Sequence, residues 1–257
     1  MKKRIISAII MFFIAIPFLI IGGIPFAIFI TILGDMALFE FLKFRKKMPS
    51  IVKVIGYILN SLIILSRYIN INLEIIMMIC IFIILGSLIV IKDNYHYKEA
   101  FFLLGLVFIL SLLFRNFIII RNRNMYELIY LLLITIGSDS FALFIGKMIG
   151  KHKLAPSISP NKTVEGFIGG CLVGTIVASI FSILVVKNIN STLIVIIITL
   201  LLSIIGEVGD LVKSSIKRNE NVKDFSNLIP GHGGIMDRLD SILFVMLAYT
   251  IIMNFII

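Results

Sequence analysis

The stretch at 192–212 reads TLIVIIITLLLSIIGEVGDLV, and its length and apolar character decide the fold. A helix needs about 20 apolar residues to cross the hydrocarbon core of a bilayer, and this stretch meets that requirement. Eight further apolar stretches extend along the chain on both sides of it. The nine predicted spans are 5–21, 24–41, 51–65, 73–91, 100–120, 125–149, 164–186, 192–212 and 239–257. The pattern predicts an all-α, polytopic integral membrane protein with about nine transmembrane helices.

The composition of the whole chain agrees with this prediction. Of its 257 residues, 60% are hydrophobic and 15% are charged, and the mean hydropathy is +1.11. A soluble domain carries about 25% charged residues, so the composition excludes an ordinary soluble enzyme. We expect one integral membrane domain over residues 1–257.

The positive net charge of +10 has a simple explanation in a membrane protein. Lys and Arg accumulate in cytoplasmic loops, and most of them fall on one side here if the N-terminus is cytoplasmic. Topology therefore accounts for the charge, and nucleic acid is not predicted as a partner. The two long polar loops, 151–163 and 213–238, then lie on the cytoplasmic side of the cell (inner) membrane.

The seventh span carries glycines at a spacing of four residues, at Gly166, Gly170 and Gly174. Residues spaced in this way share one face of a helix, and small residues let a second helix approach closely within a membrane. This face predicts tight helix packing rather than chemistry.

Two pairs of acids, each three residues apart, stand beside the loop 213–238. Glu207 and Asp210 end the eighth span, and Asp237 and Asp240 begin the ninth, where helix capping is an alternative role. Under the predicted topology all four reach the same membrane depth, which caps do not explain. Carboxylate oxygens are the ligands that Mg²⁺ prefers, so the four acids are candidate metal ligands.

The loop between these pairs is rich in groups that bind phosphate. Its candidate residues are Ser214, Lys217, Arg218, Lys223, His232, Gly233, Gly234 and Arg238. A glycine turn that leads into a helix exposes backbone N–H groups to an anion. The lysines alone would also fit a positively charged cytoplasmic loop, and His232 could contact either phosphate or the backbone.

The other long loop offers a second set of donors. Ser159, Lys162 and Thr163 stand just before the seventh span, where a helix N-terminus favours anions. Glu165 is either a cap or a metal partner. Asp139 lies within an apolar span and needs a buried partner, either a lysine or the metal cluster. Because all of these candidate residues lie in 131–257, we predict that this is the catalytic half. Residues 1–130 are predicted to form N-terminal helical spans.

The segment 214–240, SSIKRNENVKDFSNLIPGHGGIMDRLD, resembles the signature of the phosphatidate cytidylyltransferases. That signature is S-x-φ-K-R-x4-K-D-x-S-x2-φ-P-x-H-G-G-φ-x-D-R-φ-D, with φ apolar, and every fixed position matches. Similarity extends upstream to about residue 137, through Asp139, the loop 151–163 and Asp210. Residues 1–130 are similar only in being hydrophobic.

The resemblance implies a membrane enzyme that joins CTP and phosphatidic acid, giving CDP-diacylglycerol and pyrophosphate. It also implies Mg²⁺ dependence, with Asp210 and Asp237 as metal ligands. A second cation, monovalent or divalent, and a homodimer are left open.

Two other functions are weighed against this one. A CTP-dependent polyprenol or lipid-alcohol kinase would use the same nucleotide, but the full signature argues against it. A transporter would spread its acids along the bilayer and break helices in both halves, whereas the acids here cluster near one end of the chain.

Overall fold

The computed structural model describes residues 2–69, 72–91, 95–222, 224–226, 228–229 and 233–256. The α-helices of this described part are α1 (Lys2–Ile21), α2 (Gly23–Leu42), α3 (Ser50–Ile69), α4 (Leu73–Val90), α5 (Tyr97–Arg123), α6 (Met125–Ile149), α7 (Val164–Phe181), α8 (Thr192–Asn219) and α9 (Met236–Ile256). Within these residues, α2 to α9 are long and apolar enough to cross a membrane, and α1 contains a shorter apolar segment, Ile9–Ile21. The prediction of an all-α, polytopic membrane protein is confirmed.

The helices on either side of the loop 213–238 are longer than predicted. Helix α8 runs to Asn219 rather than to 212, and α9 begins at Met236 rather than at 239. Lys and Arg are good helix formers and are favoured near a helix C-terminus. Residues 213–219 therefore continue the helix, although their polarity suggested a loop.

The loop 151–163 forms a small antiparallel hairpin that the sequence did not predict. Its strands are β1 (Lys153–Ala155) and β2 (Ser159–Thr163), with Lys153 opposite Thr163. At the end of β2, the Thr163 hydroxyl accepts a hydrogen bond from the backbone N–H of Gly166 at 3.1 Å and so caps α7. The hairpin is thereby joined directly to a transmembrane helix.

The chain divides into two compact units, which we describe separately. The first contains 1–122 and 225–236, and the second contains 123–224 and 237–257. The first boundary lies close to the predicted division after residue 130. The segment 225–236 nevertheless belongs with the N-terminal helices. A single integral domain over 1–257 stays a prediction.

Polar contacts between helices are a feature of the first unit. Asn60 and Ser61 of α3 donate hydrogen bonds to the Asp35 carboxylate of α2 at 2.8 and 2.7 Å. Arg115 of α5 donates to the Ser66 hydroxyl of α3 at 2.9 Å. Polar side chains within a membrane are costly unless they are paired, and these contacts pair Asp35 and Arg115 with neighbouring helices.

The second unit contains the predicted glycine face, on α7 against α6. A Cβ atom at Gly170 would lie 2.6 Å from the carbonyl oxygen of Ser138 and 2.6 Å from the Cβ of Ala142. At Gly174 it would lie 2.9 Å from the backbone nitrogen of Ser138. The two backbones approach so closely that only glycine fits, which confirms the packing prediction.

We expect Gly170→Ala to destabilise the protein, because its methyl group has no room between α6 and α7. Overpacking of this kind costs about 1–3 kcal/mol. Gly105→Ala is the matched control, since a Cβ at Gly105 meets no atom within 4 Å in the part of the chain that the structure describes. Thermal unfolding in detergent should show a lower midpoint for the Gly170 variant alone. Equal midpoints would contradict the close contact.

Candidate active site

A pocket of about 680 Å³ opens in the second unit. This volume lies within the range of small-molecule sites, about 300–1,000 Å³. Residues from α6, β2, α7, α8 and α9 line it. Many of these residues are charged, although they stand near the ends of apolar helices. Such a concentration of charge in a membrane protein marks a candidate functional site.

One face of α8 carries acids and lysines in succession. Glu207, Asp210, Lys213 and Lys217 follow one another at spacings of three, three and four residues. Residues at these spacings lie on the same side of a helix. Because α8 continues to Asn219, this face extends from the apolar span into the polar end of the helix.

Lys162 of β2 connects the hairpin to this face of α8. Its Nζ lies 2.7 Å from Glu207 Oε2 and 2.6 Å from Asp210 Oδ2. Burial by itself would lower the pKa of Lys162, but the neighbouring Asp210 and Glu207 carboxylates raise that pKa above its usual value. Lys162 therefore remains a cation at neutral pH and neutralises Glu207, whose side chain is 1% exposed.

Two lysines of α8 connect it to α9. Lys213 forms ion pairs with Asp240 and with Asp210, the second at 3.3 Å. Lys217 Nζ lies 2.9 Å from Asp237 Oδ1. Carboxylates placed so close together repel one another, so cations must compensate them. The structure identifies lysines of α8 in this role.

Asp139 faces the same pocket from α6. The Ser241 hydroxyl of α9 donates a hydrogen bond to its Oδ2 at 3.3 Å. The sequence predicted a lysine or a metal cluster as the partner of this acid. The hydrogen bond comes from a serine, and Lys162 and Lys213 line the same pocket, so a lysine or metal partner stays a prediction.

The donor set of the pocket fits Mg²⁺. Mg²⁺ is usually held by one or two carboxylates and completed by water and substrate phosphates. Among the described residues, no group of three or more His, Cys, Asp or Glu is arranged as a metal site, and lysines hold the pocket carboxylates. Glu207 Oε1 is buried without a hydrogen-bond partner in this part of the chain. That oxygen and the carboxylates of Asp210, Asp237 and Asp240 are oxygen donors, of which Mg²⁺ would need one or two.

Most of the predicted site residues come together. Those that line the pocket are Asp139, Ser159, Lys162, Thr163, Glu207, Asp210, Asp237, Arg238 and Asp240. Ser214, Lys217 and Arg218 lie on α8 outside the lining, and Arg218 donates to the carbonyl oxygen of Ile158 in the hairpin at 3.2 Å. Lys223 and His232 fall outside the described residues.

Three predicted residues have other surroundings. The Glu165 carboxylate accepts hydrogen bonds from the backbone N–H groups of Lys151 and His152 and lies 2.6 Å from His152 Nδ1. This contact ties the hairpin to the start of α7, and the cap and metal-partner alternatives for Glu165 both stay predictions. Gly233 and Gly234 belong to the first unit, where a carboxylate of the protein itself lies beside Gly234.

The pocket also contains residues that are not among the candidate site residues named above. Lys147, Asn161 and Lys213 line the cavity beside the predicted acids. Lys213 follows Asp210 by three residues, so helical spacing could have identified it if α8 had been extended past 212. Asn161 precedes Lys162 in β2, but only the hairpin determines that it faces the pocket.

The fold and the pocket define a polytopic membrane protein with a charged, oxygen-rich site suited to phosphates. The chain belongs to the cytidylyltransferase family, whose model matches residues 2–256.

Curated relatives are similar to the chain over almost its whole length. The phosphatidate cytidylyltransferase of Bacillus subtilis (strain 168) is 39% identical over 256 residues, which cover 96% of this chain and 95% of the relative. The enzymes of the same name from Staphylococcus aureus (strain COL) and Staphylococcus haemolyticus (strain JCSC1435) are 37% and 36% identical. Both alignments cover 96% of each chain.

Proposed function

We propose that this chain transfers the cytidylyl group of CTP to phosphatidic acid, giving CDP-diacylglycerol and pyrophosphate for phospholipid synthesis. Family membership and the relatives named phosphatidate cytidylyltransferase support this reaction. The observation that carries the proposal is the pocket in which Asp210, Asp237 and Asp240 meet Lys162 and Lys213. Carboxylates for a divalent cation and lysines for phosphate are what a nucleoside triphosphate requires.

The reaction brings together two anionic substrates. A phosphate oxygen of phosphatidic acid attacks the α-phosphorus of CTP, the bond from that phosphorus to the β-bridging oxygen breaks, and pyrophosphate leaves. The attacking phosphate is already ionised at neutral pH, so the reaction needs no serine or histidine nucleophile. Catalysis then consists mainly of positioning the substrates and neutralising their repulsion.

The lysines and hydroxyl groups of the pocket hold the phosphates. Lys162 and Lys213 each exchange a carboxylate oxygen for a phosphate oxygen as substrate enters, which keeps each cation paired. Ser159 stands on the same strand as Lys162 and adds a neutral donor. Arg238, at the start of α9, lines the same pocket and balances the charge of the leaving pyrophosphate.

Asp210, Asp237 and Asp240, with Glu207 beside them, would hold Mg²⁺ together with the phosphate oxygens of CTP. When it is bound, this ion neutralises the triphosphate and stabilises the charge that develops on pyrophosphate. A second cation stays a prediction.

The reaction takes place at the cytoplasmic side of the cell (inner) membrane. CTP enters from water, and the acyl chains of phosphatidic acid remain in lipid. The positively charged loops support this orientation. A homodimer is left open.

The proposal is tested with purified protein in mixed micelles of phosphatidic acid, labelled CTP and Mg²⁺. We expect label in CDP-lipid with release of pyrophosphate, loss of activity with EDTA, and recovery when Mg²⁺ is restored in excess. A lipid-alcohol kinase would instead give lipid phosphate and CDP. That product pattern would overturn the proposed reaction, and full activity in EDTA would overturn the metal role.

A further inference from the structure

Glu40 is a carboxylate buried within an apolar helix of the first unit. It lies near the end of α2 and is 0% exposed. Its Oε1 accepts hydrogen bonds from the Ser226 hydroxyl at 2.6 Å and from the backbone N–H of Ile235 at 2.7 Å. Its Oε2 accepts one from the backbone N–H of Met236 at 3.0 Å. A charged side chain is seldom fully buried unless its partners are specific, so this arrangement requires an explanation.

The two backbone donors stand where α9 begins. Met236 is the first residue of that helix, and Ile235 immediately precedes it. The first N–H groups of a helix have no partner within the helix, and a carboxylate is favoured there by hydrogen bonding and by the helix dipole. Such a cap usually comes from a neighbouring residue, but Glu40 is 195 residues away from Ile235 in sequence.

The glycine pair before α9 is shaped around this carboxylate. A Cβ atom at Gly234 would collide with the Glu40 carboxylate, so the close approach requires glycine. Gly233 has a φ of +85°, a conformation that favours glycine. Ile229 and Gly233 exchange backbone hydrogen bonds of 2.8 and 3.2 Å.

The adjoining segment also packs onto the end of α2. Phe225 is 1% exposed, and its ring centre lies 4.9 Å from that of Phe41 and 6.3 Å from that of Phe44. Ser226, the next residue, contacts Glu40. Aromatic packing and three hydrogen bonds thus fix both ends of the segment 225–236 to one helix.

We infer that Glu40 is a positioning residue, which sets the start of α9 and through it the proposed metal ligand Asp237. Asp237 is joined by a peptide bond to Met236, whose N–H group Glu40 holds. A shift of the first turn of α9 would displace the Asp237 carboxylate. The inference rests on the proposed function, because it assigns a role to Asp237 in binding CTP.

The main test is Glu40→Gln, which keeps the shape but replaces one acceptor oxygen with a donor facing N–H groups. We expect kcat to fall about tenfold and the KM for CTP to rise several-fold, while the KM for phosphatidic acid stays within twofold. Amide hydrogen exchange at Ile235 and Met236 should become faster. A lower fraction of folded protein would reduce only the apparent kcat. Ser226→Ala, which removes one hydrogen bond, should show the same changes to a smaller extent if Glu40→Gln does not fold.

Asp35→Asn is the matched control, because Asp35 is another acid of α2 and its partners, Asn60 and Ser61, lie on α3. It should leave both KM values and the exchange at Ile235 within twofold of wild type. If wild type forms CDP-lipid and the kinetic constants of Glu40→Gln stay within twofold of it, the positioning role is overturned and the proposed function stands. Wild type that forms no CDP-lipid would overturn the proposed function, and the inference with it.

A double-mutant cycle separates this role from direct phosphate binding by the glycine turn. Gly234→Ala places a methyl group against Glu40, so its effect and that of Glu40→Gln should not multiply in the double variant. If Gly234 bound phosphate independently, the two losses would multiply. That result, with unchanged amide exchange in Glu40→Gln, would overturn the positioning role.

Discussion

Asp237→Asn is expected to reduce the formation of CDP-lipid by at least about 10²-fold, the scale on which a preorganised electrostatic contact contributes to catalysis. The substitution removes the charge that pairs with Lys217 Nζ at 2.9 Å and that is proposed to bind Mg²⁺. Its shape is unchanged, so the fold should be retained. The measurement is kcat and the KM for CTP in mixed micelles over a range of Mg²⁺ concentrations.

Asp35→Asn again provides the same chemical change at an acid that is not among the lining residues of the pocket. Asp35 accepts hydrogen bonds from neutral side chains in the first unit, so its activity should stay within twofold of wild type. Near-normal turnover by Asp237→Asn, with an unchanged thermal midpoint, would contradict the metal role. A loss that excess Mg²⁺ partly reverses would agree with it.

The membrane helices were predictable from sequence because the bilayer imposes their length. The spans at 125–149 and 164–186 agree closely with α6 and with α7 and the short π-helical segment that continues it to Val186. The glycine spacing of α7 was equally informative, since residues four apart must share a helix face. These properties depend on local sequence and on the lipid solvent alone.

The acids of the site were predictable because helical spacing depends on local sequence, but the residues that pair with them were not. Glu207 and Asp210 lie on one face of α8 whatever surrounds them. Whether Lys213 joins that face depends on where α8 ends, and polar residues after an apolar span resemble a loop. Lys162 reaches Glu207 only because the loop 151–163 folds into a hairpin. The sequence therefore predicted which charged residues belong to the site, but it did not predict which of them form ion pairs.

Glu40 illustrates a contact that local sequence cannot predict. The glycines at 233–234 indicated that an anion could approach the turn, and phosphate was the expected anion. The structure instead has Glu40 there, almost 200 residues upstream in sequence. The glycines of a turn indicate from sequence that another group can approach the backbone closely. Which group does so depends on the tertiary fold.

Lys162→Met is expected to impair both stability and activity, and the two effects have different causes. Removing Lys162 leaves Glu207, which is 1% exposed, without its cation, and breaking a buried ion pair costs about 3–5 kcal/mol. Activity should fall at least about 10²-fold, because the pocket also loses a phosphate donor. Lys153→Met, at an exposed position of the same hairpin, should leave both the thermal midpoint and turnover near wild type.

The role of Lys162 toward substrate is separated from its role toward Glu207 in a second background. In Glu207→Gln the charge of Glu207 is already gone, and Asp210 keeps Lys213 as a partner, so adding Lys162→Met should cost less stability than it does in wild type. Because Glu207 is itself a proposed ligand, activity is compared with Glu207→Gln alone rather than with wild type. We expect Lys162→Met still to lower that activity more than tenfold and to raise the KM for CTP. If the loss disappears in this background, Lys162 acts only by neutralising Glu207, and the phosphate contact proposed for it is wrong.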